Sequence, residues 1–170
     1  MLRKLAVTLL AATALLAGTA GVASAAPAQA GLRARTDTSG LTAAQAQSLQ
    51  QRVDAVLAGI PGGRQVSATT IKYDGLVVTV DPRWTGTTKS LAISCDEGWF
   101  CINVRGTAFA FYTCKTWALS NWYGSSPFNN NQTWGTVAIA YGQNGGEVWR
   151  NTAKASGSVD VGPWWSFKPC

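Results

Sequence analysis

Hydrophobic residues follow three different rhythms along this chain. From Leu5 to Leu16 they form one uncharged run behind the cationic start Met1-Leu2-Arg3-Lys4. From Leu49 to Ile60 they return at helical intervals, at Leu49, Val53, Val56, Leu57 and Ile60. From Gln65 onward they are β-branched or aromatic, cut into short runs by glycine, asparagine and proline.

The first rhythm predicts a leader for export. Ala23-Ser24-Ala25 supplies the small-x-small pattern that signal peptidases cut, so residues 1–25 read as a signal peptide. The alternative is an N-terminal anchor, but the apolar run is short for spanning hydrocarbon. No twin-arginine pair is present, which favours the general secretory route. Residues 26–40, rich in Ala, Gln, Gly, Thr and Ser, read as a flexible lead-in.

The second rhythm predicts a helix over about residues 43–58. Thr42 and Gln45 have capping-box spacing at its start, and Gly59 and Pro61 end it. Residues 65–73 and 76–80 then read as two strands joined by Asp74-Gly75, a dipeptide suited to a tight hairpin, and Pro82 closes the unit. A helix plus hairpin over 41–82 has little core of its own. It is expected to dock permanently on the C-terminal part of the chain, with a removable mask as the alternative. The stretch Thr85-Gly86-Thr87-Thr88 is the natural joint and a plausible cleavage site.

The third rhythm makes residues 90–170 a β domain. Candidate strands cover residues 91–94, 100–104, 107–113, 136–141, 147–151 and 164–167, with Gly106, residues 124–127, residues 142–146 and Gly162-Pro163 between them. Ile102-Asn103-Val104-Arg105-Gly106 and Ile139-Ala140-Tyr141-Gly142 hint at an internal repeat. The fold class is therefore mainly β, a small disulfide-bonded Greek-key sandwich or barrel preceded by an α-β-β extension.

Composition narrows the chemistry. The formal charge is +6, and +4 once Arg3 and Lys4 leave with the leader. The remaining basic residues are scattered, unlike the stripe a nucleic-acid binder carries, so a soluble cationic surface is expected, with attraction to anionic wall polymers as a further option. All four cysteines lie at Cys95, Cys101, Cys114 and Cys170. Five residues including a glycine separate the first two, which suits a local loop and leaves Cys114 for Cys170. Three pairings are open, and the sequence does not choose among them. A zinc site competes, but export and a complete lack of histidine favour disulfides.

That lack of histidine also removes Ser-His-Asp, Cys-His and zinc-protease chemistry. Asp96, Glu97, Glu147 and Asp160 are the carboxylates that could cleave a glycosidic bond, yet Asp96 and Glu97 are adjacent in a turn and would diverge. The chain is read as a non-enzyme without cofactors.

The cysteine loop is followed by Tyr112-Thr113-Cys114, Trp117-Ala118-Leu119, Asn130-Asn131-Gln132-Thr133-Trp134-Gly135-Thr136 and Trp164-Trp165-Ser166-Phe167-Lys168-Pro169-Cys170. Over residues 95–170 this resembles the secreted actinobacterial proteins grouped with the Streptomyces-type metalloproteinase (peptidase) inhibitors. The resemblance implies a crystallin-like double Greek key and a secreted, extracellular, monomeric inhibitor that presents a rigid loop to a protease. No second short cysteine loop is present, so the resemblance places no reactive loop. Crystallin-type calcium sites suggest Asn129, Asn130 and Thr133 as a candidate, but Trp134 stands where the last hydroxyl ligand belongs and no carboxylate is supplied. The competing reading has these amides satisfying a turn backbone. Asn131-Gln132-Thr133 also fits a glycosylation sequon.

Eight tryptophans remain to be placed. Most are expected in the core, while Trp122-Tyr123, with Ser125 and Pro127 beside them, are expected to form an exposed interaction surface. The alternative function is thus a cell-wall or carbohydrate-binding module using exposed tryptophans. Neither nucleic acid nor membrane is expected as a partner.

Overall fold

A computed structural model describes residues 40–86, 93–119 and 122–170. The leader, the lead-in up to residue 39, Thr87-Thr88 of the joint and the start of the 91–94 strand lie outside the described residues. Among the described residues, no helix is long and apolar enough to cross a membrane.

Helix α1 spans Ala43–Gly59 and starts where the capping box predicts. Thr42 N donates to Gln45 Oε1 at 2.8 Å and Gln45 N to Thr42 Oγ1 at 3.2 Å, satisfying two N–H groups that a helix start leaves open. Leu49 and Val53 are buried, and Val56 and Leu57 pack against the same core, so one apolar stripe anchors the helix.

The region read as one strand from Gln65 is two. β1 (Arg64–Gln65) and β2 (Thr70–Tyr73) pair with each other across a turn in which Ser67 Oγ accepts from Thr69 N and Thr70 N. A serine offering its oxygen to nearby N–H groups competes with a continuing ladder, which periodicity cannot reveal. β2 then turns at Asp74-Gly75 into β3 (Leu76–Val80). Gly75 has φ +97°, and a Cβ there would meet Thr113 at 2.3 Å.

Six further strands belong to the predicted β domain's visible pattern or extend it: β4 (Trp99–Val104), β5 (Thr107–Phe111), β6 (Trp117–Ala118), β7 (Ser125–Asn131), β8 (Val137–Tyr141) and β9 (Glu147–Thr152). β10 (Ala155–Asp160) and β11 (Ser166–Lys168) finish the chain. Two antiparallel sheets result, ordered β1-β2-β3-β5-β4-β7-β10 and β6-β11-β8-β9. The protein is a small, mainly β sandwich carrying one helix and two disulfides.

The helix–hairpin unit belongs to the larger sheet. β3 pairs with β5 over five residues, from Leu76 opposite Phe111 to Val80 opposite Thr107. Phe100, Phe111 and Phe167 are fully buried between the sheets. Phe100 lies 4.7 Å from Phe167 and 6.0 Å from Phe128, and Trp149 and Trp164 close the cluster. Aromatic contacts at these separations add to the area each ring removes from water.

β7 and β10 correct the sequence reading. Residues 124–127 read as a loop, and 129–133 as a turn or calcium candidate, yet Ser125–Asn131 is a strand between β4 and β10. Its polar residues are strand residues because their amides have partners inside the protein. Pro127 is tolerated because the β4 ladder begins only at Phe128, so no β4 partner is missed there. β10 is a polar, largely exposed edge strand, a composition that discourages edge-to-edge association and hides the strand from a hydrophobic pattern.

Candidate functional site

Two regions at opposite ends of β4 carry concentrated chemistry. At the N-terminal end, Cys95–Cys101 closes a loop, and Cys114–Cys170 fixes the C-terminus nearby. Among the described residues no free cysteine remains. Asp96, Glu97 and Gly98 are exposed at the tip of the loop. Trp99 N donates to Asp96 O at 3.2 Å, Gly98 N to Asn131 O at 2.8 Å, and Asn131 Nδ2 to Cys95 O at 2.9 Å. Lys154 Nζ reaches Glu97 Oε1 at 3.0 Å. The Trp99 ring lies 4.5 Å from that of Tyr112, which is itself exposed. Trp134 lies in the turn after β7 and is 76% exposed, the most exposed large hydrophobic residue among those described.

Asn129 to Gln132 hold this end together through their side-chain amides. Asn129 Nδ2 donates to Ile93 O at 3.1 Å on one face of β7. Asn130 points to the other face, is fully buried, and donates to Asn151 Oδ1 at 3.0 Å. Gln132 Nε2 donates to Asn130 Oδ1 at 2.9 Å and to Pro169 O. Successive strand residues face opposite ways, so Asn129 and Asn130 cannot converge on one ion, and Thr133 is exposed beyond the strand. The calcium candidate is corrected on that ground; the amides do satisfy backbone carbonyls, at Ile93, Cys95 and Pro169, but from a strand and its end rather than from a turn. The described residues contain no group of three His, Cys, Asp or Glu able to hold a metal.

The carboxylates considered for glycosidic cleavage are dispersed. Glu97 pairs with Lys154, Glu147 pairs with Arg150 at 2.6 Å, and Asp160 Oδ1 accepts from Gly162 N at 2.9 Å. The hydrogen bond from Arg150 holds the Glu147 carboxyl below its ordinary range.

The expected surface of Trp122, Tyr123, Ser125 and Pro127 is only half present. Trp122 is buried, its ring 4.3 Å from Phe109 and 6.4 Å from Trp164. Pro127 is buried within β7. Tyr123 and Ser125 are exposed, and the exposed tryptophans are Trp134 and Trp165.

The second region, at the C-terminal end of β4, was not visible in the sequence. A cleft of about 210 Å³ lies between the second half of α1 and the β4–β5 turn. Val56, Ile60, Val104, Phe109 and Trp122 supply apolar lining, and Arg52, Arg105 and Trp84 supply the rest of its chemistry. Arg52 ties helix to sheet by donating to Asp81 O at 2.8 Å and Gly106 O at 2.9 Å. Burial lowers the Arg52 pKa from its ordinary value, Asp81 opposes the shift, and the nearby Arg105 charge adds to it. The Arg105 guanidinium lies 3.9 Å from the Tyr123 ring centre and 5.4 Å from that of Trp84. Only the turn's register brings these residues together, since they come from 52, 84, 105 and 122–123 in sequence.

Comparison with protein-family models, with characterised proteins and with solved structures finds no match to this chain.

Proposed function

We propose that this chain is an exported, non-catalytic protein that acts as a monomeric peptidase inhibitor, blocking an extracellular protease with the loop closed by Cys95 and Cys101. The observation that carries this reading is the bracing of that loop. One disulfide, two hydrogen bonds with Asn131 and the Glu97–Lys154 pair hold three exposed residues in place. A loop fixed before it meets its target loses little conformational entropy on binding, which is what inhibition by a presented loop requires. Two disulfides also suit an oxidising, extracellular-type environment. On the same reading the two-sheet body is a crystallin-like Greek-key variant.

The test is a panel of secreted metallo- and serine proteases mixed with the purified protein. A near-stoichiometric loss of turnover with at least one of them is expected, and it should disappear when Cys95 and Cys101 are both replaced by serine. Full activity of every protease at large molar excess of the protein would sink the proposal.

One observation favours a second reading. Trp134, 76% exposed on a turn beside the braced loop, is an indole face available for stacking on a sugar ring of the cell wall. Co-sedimentation with cell wall that is lost in Trp134→Ala, with proteases untouched, would select this reading over inhibition.

A further inference from the structure

We infer that the cleft between α1 and the β4–β5 turn is a binding site for a carboxylate carried on a compact apolar body, the form presented by the C-terminal residue of a peptide ending in an aliphatic or aromatic side chain. The inference is independent of the inhibitor reading, because the cleft lies at the far end of β4 from the braced loop.

Three observations carry it. First, the cleft concentrates positive charge. Arg52 and Arg105 both line it, and the Nη atoms of Arg52 are already engaged with backbone carbonyls. Arg105 has no carboxylate partner among the described residues; Asp81 is the acid near Arg52, and its Oδ1 accepts from Arg83 N at 2.8 Å.

Second, Arg105 is held ready. Its guanidinium has one aromatic ring at 3.9 Å and another at 5.4 Å. Ring contacts consume no N–H group of a guanidinium, which keeps its donors for a carboxylate received with two parallel hydrogen bonds.

Third, Arg105 stands where the backbone disfavours it. Val104 pairs with Thr107, so Arg105 and Gly106 are the two central residues of the turn, with φ 51° and 73°. Such a turn demands positive φ at both positions and favours Asn-Gly, so an arginine there costs on the order of 1 kcal/mol. A side chain retained against its own backbone preference at the mouth of a cleft points to a use for the guanidinium.

The rest of the lining selects the body of the ligand. Apart from the two arginines, the polar groups of the lining side chains are the Thr107 hydroxyl and the indole N–H groups of Trp84 and Trp122. A sugar would bring more hydroxyls than these few groups can partner, at a cost for each one left over. An aliphatic or aromatic side chain meets Val56, Ile60, Val104, Phe109 and Trp122 instead. The chain's own lead-in is a poor occupant, since Arg33 and Arg35 would add charge of the same sign.

The experiment is an NMR titration of the full exported protein with N-acetyl-phenylalanine, its uncharged amide, and glucuronic acid, on wild type and on Arg105→Asn. The free acid should shift the Arg105 amide and Trp84 indole signals, and the amide should bind at least about tenfold more weakly, the size of effect a lost charge-assisted pair produces. Arg105→Asn should lose the acid while melting at the same temperature or higher, because asparagine suits the turn. Equal binding of acid and amide, undiminished binding by Arg105→Asn, preference for glucuronic acid, or no binding of the free acid would each overturn the inference.

Discussion

Asn130 in the larger sheet and Asn151 in the smaller one are joined by a hydrogen bond of 3.0 Å from Nδ2 to Oδ1. Asn130 Oδ1 in turn accepts from Gln132, which also reaches Pro169 O beside the terminal disulfide. The two sheets are thus tied by a buried amide relay as well as by aromatic rings. Removing Asn130 leaves the half-buried Asn151 amide oxygen without this donor and costs the buried Gln132 one of its two acceptors. Asn130→Ala should cost about 2–3 kcal/mol in a denaturant melt. Asn130→Asp should cost more at neutral pH, because a charge replaces a donor at a fully buried position. A loss under about 0.5 kcal/mol for Asn130→Ala would show that the relay is dispensable.

The two disulfides should contribute unequally. Cys114–Cys170 spans 56 residues and Cys95–Cys101 only 6, so chain entropy assigns about 4 kcal/mol to the first and about 2 to the second. Paired Cys→Ser variants, compared by denaturant midpoints, should preserve that order. The reverse order would mean that native-state bracing, not loop length, governs the bridges.

Arg52 is the clamp between helix and sheet. Arg52→Ala removes the donors to Asp81 O and Gly106 O and should destabilise by roughly 2 kcal/mol. Hydrogen exchange in α1 should rise well above the rise in β4. Uniform acceleration across the domain would instead make helix and sheet one cooperative unit.

Gly106 guards the cleft sterically. Its φ is +73°, and a Cβ would sit 2.3 Å from Cγ of Trp84. Gly106→Ala should therefore displace the Trp84 ring, changing tryptophan fluorescence and near-ultraviolet dichroism, with a stability loss of about 1–2 kcal/mol. Unchanged spectra would show that Trp84 does not rest on the turn.

Alkaline pH should expose Tyr73. Burial pushes its hydroxyl up to about 12 from an ordinary value of 10.0. The folded protein thus holds the proton more tightly than the unfolded chain. That stability is fully present below about pH 10 and is lost as pH rises toward about 12, with a slope of at most about 1.4 kcal/mol per pH unit. Tyr73→Phe should flatten this part of the pH–stability curve relative to wild type; parallel curves would place the titration elsewhere.

By itself, the sequence determined the elements whose signals are local. The Thr42–Gln45 cap and the Leu49–Ile60 stripe located α1 to within a residue. Asp74-Gly75 located a hairpin turn, and β-branched and aromatic runs between glycine breaks located β4, β5, β8 and β9 closely. The cysteine spacing suggested the two bridges that form, without deciding among three pairings. These features depend on groups a few residues apart, or on a side chain's own preference for water. Tertiary structure alone decided the rest. β7 was hidden because the partners of its polar residues lie on β4, β9 and the 93–95 segment, distant in sequence, and β10 because it is a polar edge strand paired with β7 alone. Trp122 looked like a loop residue and became core because Phe109 and Trp164 flank it. The arginine cleft exists only because β3 pairs with β5, which carries the Trp84 segment and α1 to the tip of the β4–β5 turn. Contacts between residues far apart in the chain arise from strand register, and strand register is fixed by packing that no short stretch of sequence encodes.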